Sequence, residues 1–363
     1  MVTYGSVCSG IESASVAWAE LGLKPAWVAE VAPFPSAVLA YRFPEVPNLG
    51  DLRGVGRLVL SGKIEAPDVL ISGTPCQAFT LAGMREGLAD ERGALAIKFV
   101  ELADAIDHVR GLAGKPPGIV VWENVPGVLS DKANAFGCLL AALVGESCEL
   151  LPTGRKWTDA GVVYGPARAV AWRILNAQHF GVAQRRRRLF VVASARKGFD
   201  PGAVLFDLGS VRRDSSPLEP KGSNAEVRQC RCGYGFSVGT GILQCPKCRR
   251  IVAIEAPAWW NGFGVSQTLD AVLDKHQALP EKNRFPAVLD NGRLRFITPR
   301  EAERLQGLPD DFTRIPWRGK PAEQCPDGHR YKAIGNTKAV PVVRWLGRRL
   351  LAVINQEGVN DGT

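Results

Sequence analysis

Residues 69–83 read VLISGTPCQAFTLAG. An apolar run stops at Gly73, and a Thr-Pro-Cys-Gln turn, Thr74 to Gln77, follows. A short apolar run bounded by Gly and Pro predicts a buried strand. A strand with no polar alternation belongs in a parallel sheet covered by helices on both faces. Functional residues in such sheets gather at the carboxyl ends of the strands. Cys76 stands just past such an end. Alone it is as well explained as a small hydrophobe in a turn.

The surroundings fit that fold. TYGSV (3–7) leads into IESASVAWAELG (11–22), whose apolar residues recur at helical spacing up to Gly22. AWVAEV (26–31) predicts a second strand and PSAVLAYRF (35–43) a second helix. GALAIKFVELADAIDHVRGL (93–112) is a long amphipathic helix. GIVVWE (118–123) is a fourth strand, FGCLLAALVG (136–145) another helix, and RLFVVAS (188–194) a late strand. Strands alternating with helices predict an α/β fold with a mostly parallel sheet. After about Lys197 this rhythm breaks. Gly, Pro, Ser and charge dominate, and a smaller irregular domain is expected. TPREAERLQGLP (298–309) resumes helical spacing, with Thr298 as N-cap, Pro299 at the first helical position and Glu301 closing a capping box. The last helix, within 339–356, has one apolar face that should pack on the first domain. The expected division is residues 1–197 and 330–363 as a catalytic, cofactor-binding domain, with 198–329 as the smaller domain.

The chain has 363 residues, 45 Lys and Arg against 36 Asp and Glu, and a formal charge of +9. A basic surplus suits a polyanionic partner. There is no basic flank followed by a long apolar stretch at the N-terminus, and no run of membrane-spanning length. A cytoplasmic setting, without membrane contact, is the expectation.

Four strand ends carry unusual residues. After the first comes CSGIES (8–13), a small-residue turn opening a helix, which lets a ligand approach backbone N–H groups. After the second comes Glu30, placed where an acid accepts hydrogen bonds from ribose hydroxyls. Together these point to an adenosine-containing cofactor. After the third comes Cys76, and after the fourth Glu123-Asn124-Val125. A thiolate beside a carboxyl group can pair a nucleophile with an acid.

These residues match a known family. GTPCQAFTLAG (73–83), WENVPGVL (122–129), QRRRRLFVV (184–192), ITPREAERLQGLPDDF (297–312) and YKAIGNTKAVPV (331–342) occur in the motif order of the DNA (cytosine-5)-methyltransferases. The chain resembles that family over nearly its whole length, and residues 157–188 are similar to its phage and bacterial members. The resemblance implies a Rossmann-like, S-adenosylmethionine-dependent fold and transfer of a methyl group to carbon 5 of a flipped-out cytosine in double-stranded DNA. It implies Cys76 as the nucleophile that adds to carbon 6. Glu123 would stabilise the charge developing on the ring. Arg188 would steady the cytosine carbonyl, and Asn124 and Gln77 would brace the loops. For the cofactor it implies Cys8, Ser9, Gly10 and Ile11 on the turn, Glu30 on the ribose, and Val31 on the adenine face. Asp51 and Leu52 would meet the adenine edge, Gly73 and Pro75 the wall near the reacting methyl, and Asn336 the methionine end. Thr80, Arg85, Arg92, Arg186 and Thr268 fall on the DNA side, Arg186 with a more structural part. A chain acting as a monomer is expected.

Two departures stand out. Glu12 and Ser13 replace small residues of the first turn. Lys338 stands where the family usually has an apolar residue, and an ammonium near a sulfonium weakens binding at short range. Two readings are open. Lys338 snorkels to solvent, or the cofactor carries an extra anion, as carboxy-S-adenosylmethionine does, giving 5-carboxymethylcytosine. A transferase acting on tRNA and a silent DNA-binding homologue are further alternatives. The intact Cys76, Glu123 and Arg188 argue against the second of these.

One cluster lies outside the family's motifs. CRCGYGFSVGTGILQCPKC (230–248) spaces Cys230, Cys232, Cys245 and Cys248 as two close pairs. Such pairs converge on a tetrahedral ion, and four thiolates favour zinc. A structural zinc knuckle, at 228–250 in a target-recognition domain, is expected.

Overall fold

The computed structural model describes residues 1–74, 91–206 and 293–360, with short strands at 227–229, 235–237, 242–244, 251–254 and 287–290. Its centre is a seven-stranded sheet. The strands are β1 (Thr3–Val7), β2 (Lys24–Ala29), β3 (Val69–Ser72), β4 (Ile119–Asn124), β5 (Ala160–Tyr164), β6 (Ala169–Asn176) and β7 (Arg187–Ser194). They lie in the order β2-β1-β3-β4-β7-β6-β5. The strands from β2 to β4 are parallel, as expected. The rest departs from the mostly parallel expectation. β7 is antiparallel to both β4 and β6, and β5 is antiparallel to β6, so the sheet is mixed. Residues 165–168 explain the last pairing. Four residues cannot carry the crossover that a parallel pair needs, but they suffice for a hairpin.

Side-chain alternation along the strands builds two cores. Leu70, Val120 and Trp122 face helices α3 (Leu52–Leu60), α4 (Glu91–Leu112) and α5 (Ala135–Val144), through Val55, Phe99, Leu102 and Leu139. Val69, Ile71 and Val121 face the other way, with α1 (Ser13–Trp18), α2 (Pro33–Arg42), α6 (Pro201–Leu205) and the last helix. A period of two in the strands, with apolar residues on both sides, buries both faces.

Three further helices follow in the chain: α7 (Pro299–Gln306), α8 (Asp327–Asn336) and α9 (Val340–Asn360). As expected, α9 returns to the first domain. The Trp18 indole donates to the Val343 carbonyl at 2.7 Å. The backbones approach so closely there that a Cβ on Gly347 would meet Trp18 Nε1 at 2.4 Å. The capping box of α7 forms as read: Glu301 N–H donates to Thr298 Oγ1, and Thr298 N–H to Glu301 Oε2.

Arg295 grips Glu301 through both carboxylate oxygens, at 2.8 and 2.9 Å, and this holds its carboxyl down to about 2. Ionised Glu301 therefore stabilises the fold. Its contribution is complete above the ordinary glutamate range of about 4.3 and is lost as pH falls through about 2. Glu301→Gln should lower the melting temperature at neutral pH, and the gap from wild type should close on acidification. A constant gap across that range would show that the charge is not what stabilises the cap.

Candidate active site

The carboxyl ends of β1 to β4 open into one cavity of about 560 Å³. Its wall includes Cys8 and Gly10 after β1, Glu30 after β2, Gly73 and Thr74 after β3, and Glu123 and Asn124 at the end of β4. Because β7 is antiparallel to β4, its first residues come to this same edge, and Arg188 joins the wall. From the far side, α8 contributes His329, Lys332 and Asn336, and the preceding loop contributes Trp317 and Arg318.

The first turn is strained in a useful way. Cys8, Gly10 and Glu12 have φ of 48°, 59° and 57°. This turn aims Gly10 N–H at Glu30, whose Oε2 accepts at 2.8 Å, while Oε1 accepts from Ala32 N–H at 2.7 Å. Glu30 is thus fixed by two backbone donors where β2 ends. Ser9 does not face the cavity. It is buried, its hydroxyl donating to Ser6 O and accepting from Ala29 N–H. Ile11 is fully buried in the core. Burial, reinforced by the Glu30 charge, pushes the Cys8 thiol up to about 12, so it stays protonated as a small wall residue. Val31 is exposed beside this rim. Asp51 caps α3 and pairs with Arg53 at 2.6 Å, and Leu52 is buried in the core. Neither joins the cavity wall.

The stem of the Thr-Pro-Cys-Gln turn is locked. Thr74 Oγ1 accepts from the Trp122 indole at 2.7 Å, Thr74 O accepts from Asn124 Nδ2 at 2.9 Å, and Thr74 N–H donates to Ser72 Oγ. Asn124 Oδ1 in turn accepts from Val125 N–H. The end of β4 thus holds Thr74, two positions before Cys76 in sequence. Glu123 is 8% exposed, and its Oε1 lies 3.3 Å from Arg188 Nε without a hydrogen-bond partner among the described residues. A buried carboxylate oxygen with no hydrogen-bond donor, on a residue that lines a cavity, calls for an explanation, and a ligand's donor is one.

Two expectations are corrected. Arg186, grouped with the DNA contacts, is buried, and its guanidinium donates to the carbonyls of Gly335 and Thr337 at 3.1 and 2.8 Å. It ties the loop before β7 to the end of α8. Lys338 does not snorkel to solvent, since it is only 7% exposed. A Cβ added at Gly73 would meet Lys338 Nζ at 3.0 Å and Glu123 Oε2 at 3.5 Å. Glu12, the other departure, is fully buried as the N-cap of α1, with Oε2 unpartnered among the described residues, and burial pushes its carboxyl up.

Pro75, Cys76, Gln77, Thr80, Arg85, Thr268, Cys230, Cys232, Cys245 and Cys248 lie outside the described residues, as does the side chain of Arg92 on α4. Among the described residues, no group of His, Cys, Asp and Glu could hold a metal, and no helix is long and apolar enough to cross a membrane. Sequence reasoning missed the aromatic wall. Phe34 stacks on His329 at 5.4 Å and meets Trp317 edge-on at 5.2 Å. Three isolated aromatic residues, nearly three hundred positions apart, carry no local signal.

Comparison with known proteins now bears on this geometry. The family model for C-5 cytosine-specific DNA methylases matches residues 2–202 and 244–352. A relative from Escherichia phage P1, named DNA N-6-adenine-methyltransferase, is 39% identical over 97% of the chain. The chain spans 61% of the length of that relative. The Type II methyltransferase M2.BsuMI of Bacillus subtilis (strain 168) is 27% identical, covering 95% of the chain and 74% of the relative. In fold, the chain is similar to the Entamoeba histolytica methyltransferase EhMeth, with a TM-score of 0.59 at 13% identity, covering 97% of this chain and 98% of that one.

Proposed function

The chain belongs to the C-5 cytosine-specific DNA methylase family, and on that premise we propose that it modifies carbon 5 of a cytosine flipped out of double-stranded DNA. The observation that carries this reading is Glu123. Its buried Oε1 lacks a donor, beside Arg188 and the locked stem that leads two residues on to Cys76.

Carbon 5 of cytosine is a weak nucleophile. In the proposed reaction the Cys76 thiolate adds to carbon 6, and the ring's electrons shift toward nitrogen 3 and carbon 5. Glu123 meets the charge at nitrogen 3 and the exocyclic amine, and Arg188 steadies the carbonyl. Asn124 acts through Thr74, and Gln77 serves with it to brace the loops. The final proton leaves carbon 5 as the thiolate departs.

The residues present fit S-adenosylmethionine. Glu30 offers a fixed carboxylate for ribose hydroxyls, Gly10 removes a side chain from the turn, and Asn336 lines the opposite wall. When bound, that cofactor supplies an electrophilic methyl group.

The recognition parts belong to the same reading. Thr80, Arg85, Arg92 and Thr268 serve the DNA, and the target-recognition domain lies within residues 198–329, whose two ends pack on the catalytic body through Val204, Leu205, Leu308 and Phe312. A zinc knuckle stiffens it. Two strand pairings support this. The strand Val227–Gln229 pairs antiparallel with Gly235–Ser237, and Ile242–Gln244 with Ile251–Ile254. Cys230 and Cys232 fall in sequence between the first two strands, and Cys245 and Cys248 between the second two, the layout of two knuckles on one ion.

The test is nucleoside mass spectrometry of duplex DNA incubated with the purified protein and S-adenosylmethionine, with metal content measured on the same sample. A modified cytosine that disappears in Cys76→Ser is expected, with one zinc per chain. N6-methyladenine, the product that the phage relative's name points to, would overturn the reading. A zinc-free protein of full activity would remove the knuckle.

A further inference from the structure

Lys338 lies beside Gly73 and Glu123, two residues of the cavity wall. It is 7% exposed, and among the described residues it has no hydrogen bond and no ion pair within 4 Å. Its ammonium and Glu123 Oε2 both approach the point where a Gly73 side chain would begin. Glu123 lies against Arg188. Glu12 is fully buried, and burial pushes its carboxyl up while the Lys338 charge draws it down. The rest of the cavity adds Arg186, Arg188, Arg318 and Lys332 against Glu30 and Glu123. A sulfonium bound here would add to this surplus of positive charge, which costs binding in a partly dry site.

We infer that Lys338 recognises a carboxylate carried on the group being transferred, so that the chain selects a carboxylated sulfonium, carboxy-S-adenosylmethionine, over S-adenosylmethionine. The carboxylate would give the buried ammonium the charge-assisted partner it lacks. It would also turn the clash with the sulfonium into a bridged pair. The chemistry needs no further reactant. The electron pair of carbon 5 forms a bond to the methylene carbon, and the carbon–sulfur bond breaks with its pair kept by sulfur, leaving a neutral thioether. The proton of carbon 5 passes to solvent as Cys76 is eliminated. The carboxylate is unchanged, and the product is 5-carboxymethylcytosine. The inference rests on the cytosine-modifying reading above for where the transferred carbon sits.

The test separates binding from transfer. Calorimetric titration of the two cofactors into the DNA-free protein should show tighter binding of the carboxylated one. Lys338→Met should weaken it on the order of 10- to 100-fold, the range for one hydrogen bond to a charged group, and leave S-adenosylmethionine bound as well or better. Lys338→Arg keeps a cation and should retain much of the preference, which guards against a merely misfolded variant. In transfer assays with both cofactors present, wild type should yield 5-carboxymethylcytosine and Lys338→Met 5-methylcytosine. Equal affinities that Lys338→Met leaves unmoved, or methyl transfer alone by both proteins, would overturn the inference. A clear binding preference with no modified base of either kind would support it and sink the cytosine-modifying reading instead.

Discussion

Glu123→Gln is expected to lower the rate of cytosine modification by about 10²- to 10⁴-fold, with cofactor affinity nearly unchanged. The substitution keeps the shape of the side chain and removes only its charge and its proton affinity. Glu123 lines the cavity, and its Oε1 is buried beside Arg188 with no hydrogen-bond donor among the described residues. Its work would come when the ring gains negative character and nitrogen 3 seeks a proton, so the loss should fall on kcat and spare KM for the cofactor. Arg188 makes the contrast informative. Its Nε lies 3.3 Å from Glu123, and in Glu123→Gln that guanidinium loses an anionic neighbour at 16% side-chain exposure while keeping its hydrogen bond to Arg187 O. Some destabilisation should therefore accompany the lost activity, visible as a lower melting temperature. Single-turnover kinetics at saturating DNA, with folding checked by circular dichroism, measure the effect. A folded Glu123→Gln with near wild-type turnover would remove Glu123 from the chemistry.

The legible part of this protein was its strand ends. Each of the first four strands finishes where its apolar run meets a Gly, an acid or a polar residue, and these endings meet at one edge because the strands are parallel. Gly10, Glu30, Gly73 and Glu123 were readable because each marks such an ending. The direction of the later strands was not readable. RLFVVAS has the same apolar run whether it points up or down, and only its pairing with β4 and β6 sets it antiparallel. The hairpin at 160–176 was hidden for a related reason, since its Ala, Gly and Val content gives little alternation. Lys338 shows the sharper limit. A lysine near a helix start usually reaches water. Here α9 begins against the end of β3, and that contact joins residues more than two hundred and fifty positions apart. The partners of Arg186 were hidden for the same kind of reason, because the carbonyls it binds belong to the closing segment.

Arg330→Ala is expected to destabilise the protein by about 3–5 kcal/mol, the cost of stranding a buried charge, and through that to weaken cofactor binding. Arg330 and Glu303 are both buried, 8% and 0% exposed at the side chain, and lie 3.2 Å apart. Thr313 joins them. Its N–H donates to Glu303 Oε1 at 2.8 Å, and its hydroxyl oxygen accepts from Arg330 Nε at 3.0 Å. Glu303 sits on α7 and Arg330 on α8, so this cluster clamps the two helices. Arg330 also reaches Asp311 at 3.3 Å. Glu303 Oε2 already lacks a hydrogen-bond partner among the described residues, so without Arg330 the carboxylate keeps only Thr313. The functional consequence follows from what α8 carries: His329, Lys332 and Asn336 all line the cavity, and a loosened α8 takes them with it. Arg304→Ala is the control. Its ion pair with Asp310 at 2.5 Å is well made but exposed at both ends, and exposed pairs contribute little, so that variant should melt close to wild type. The double variant Arg330→Ala with Glu303→Ala decides the cause. If the stranded carboxylate is what costs, removing it should return part of the lost stability, and urea titration of the four proteins gives the coupling directly. Strictly additive losses would mean that Arg330 works by packing alone.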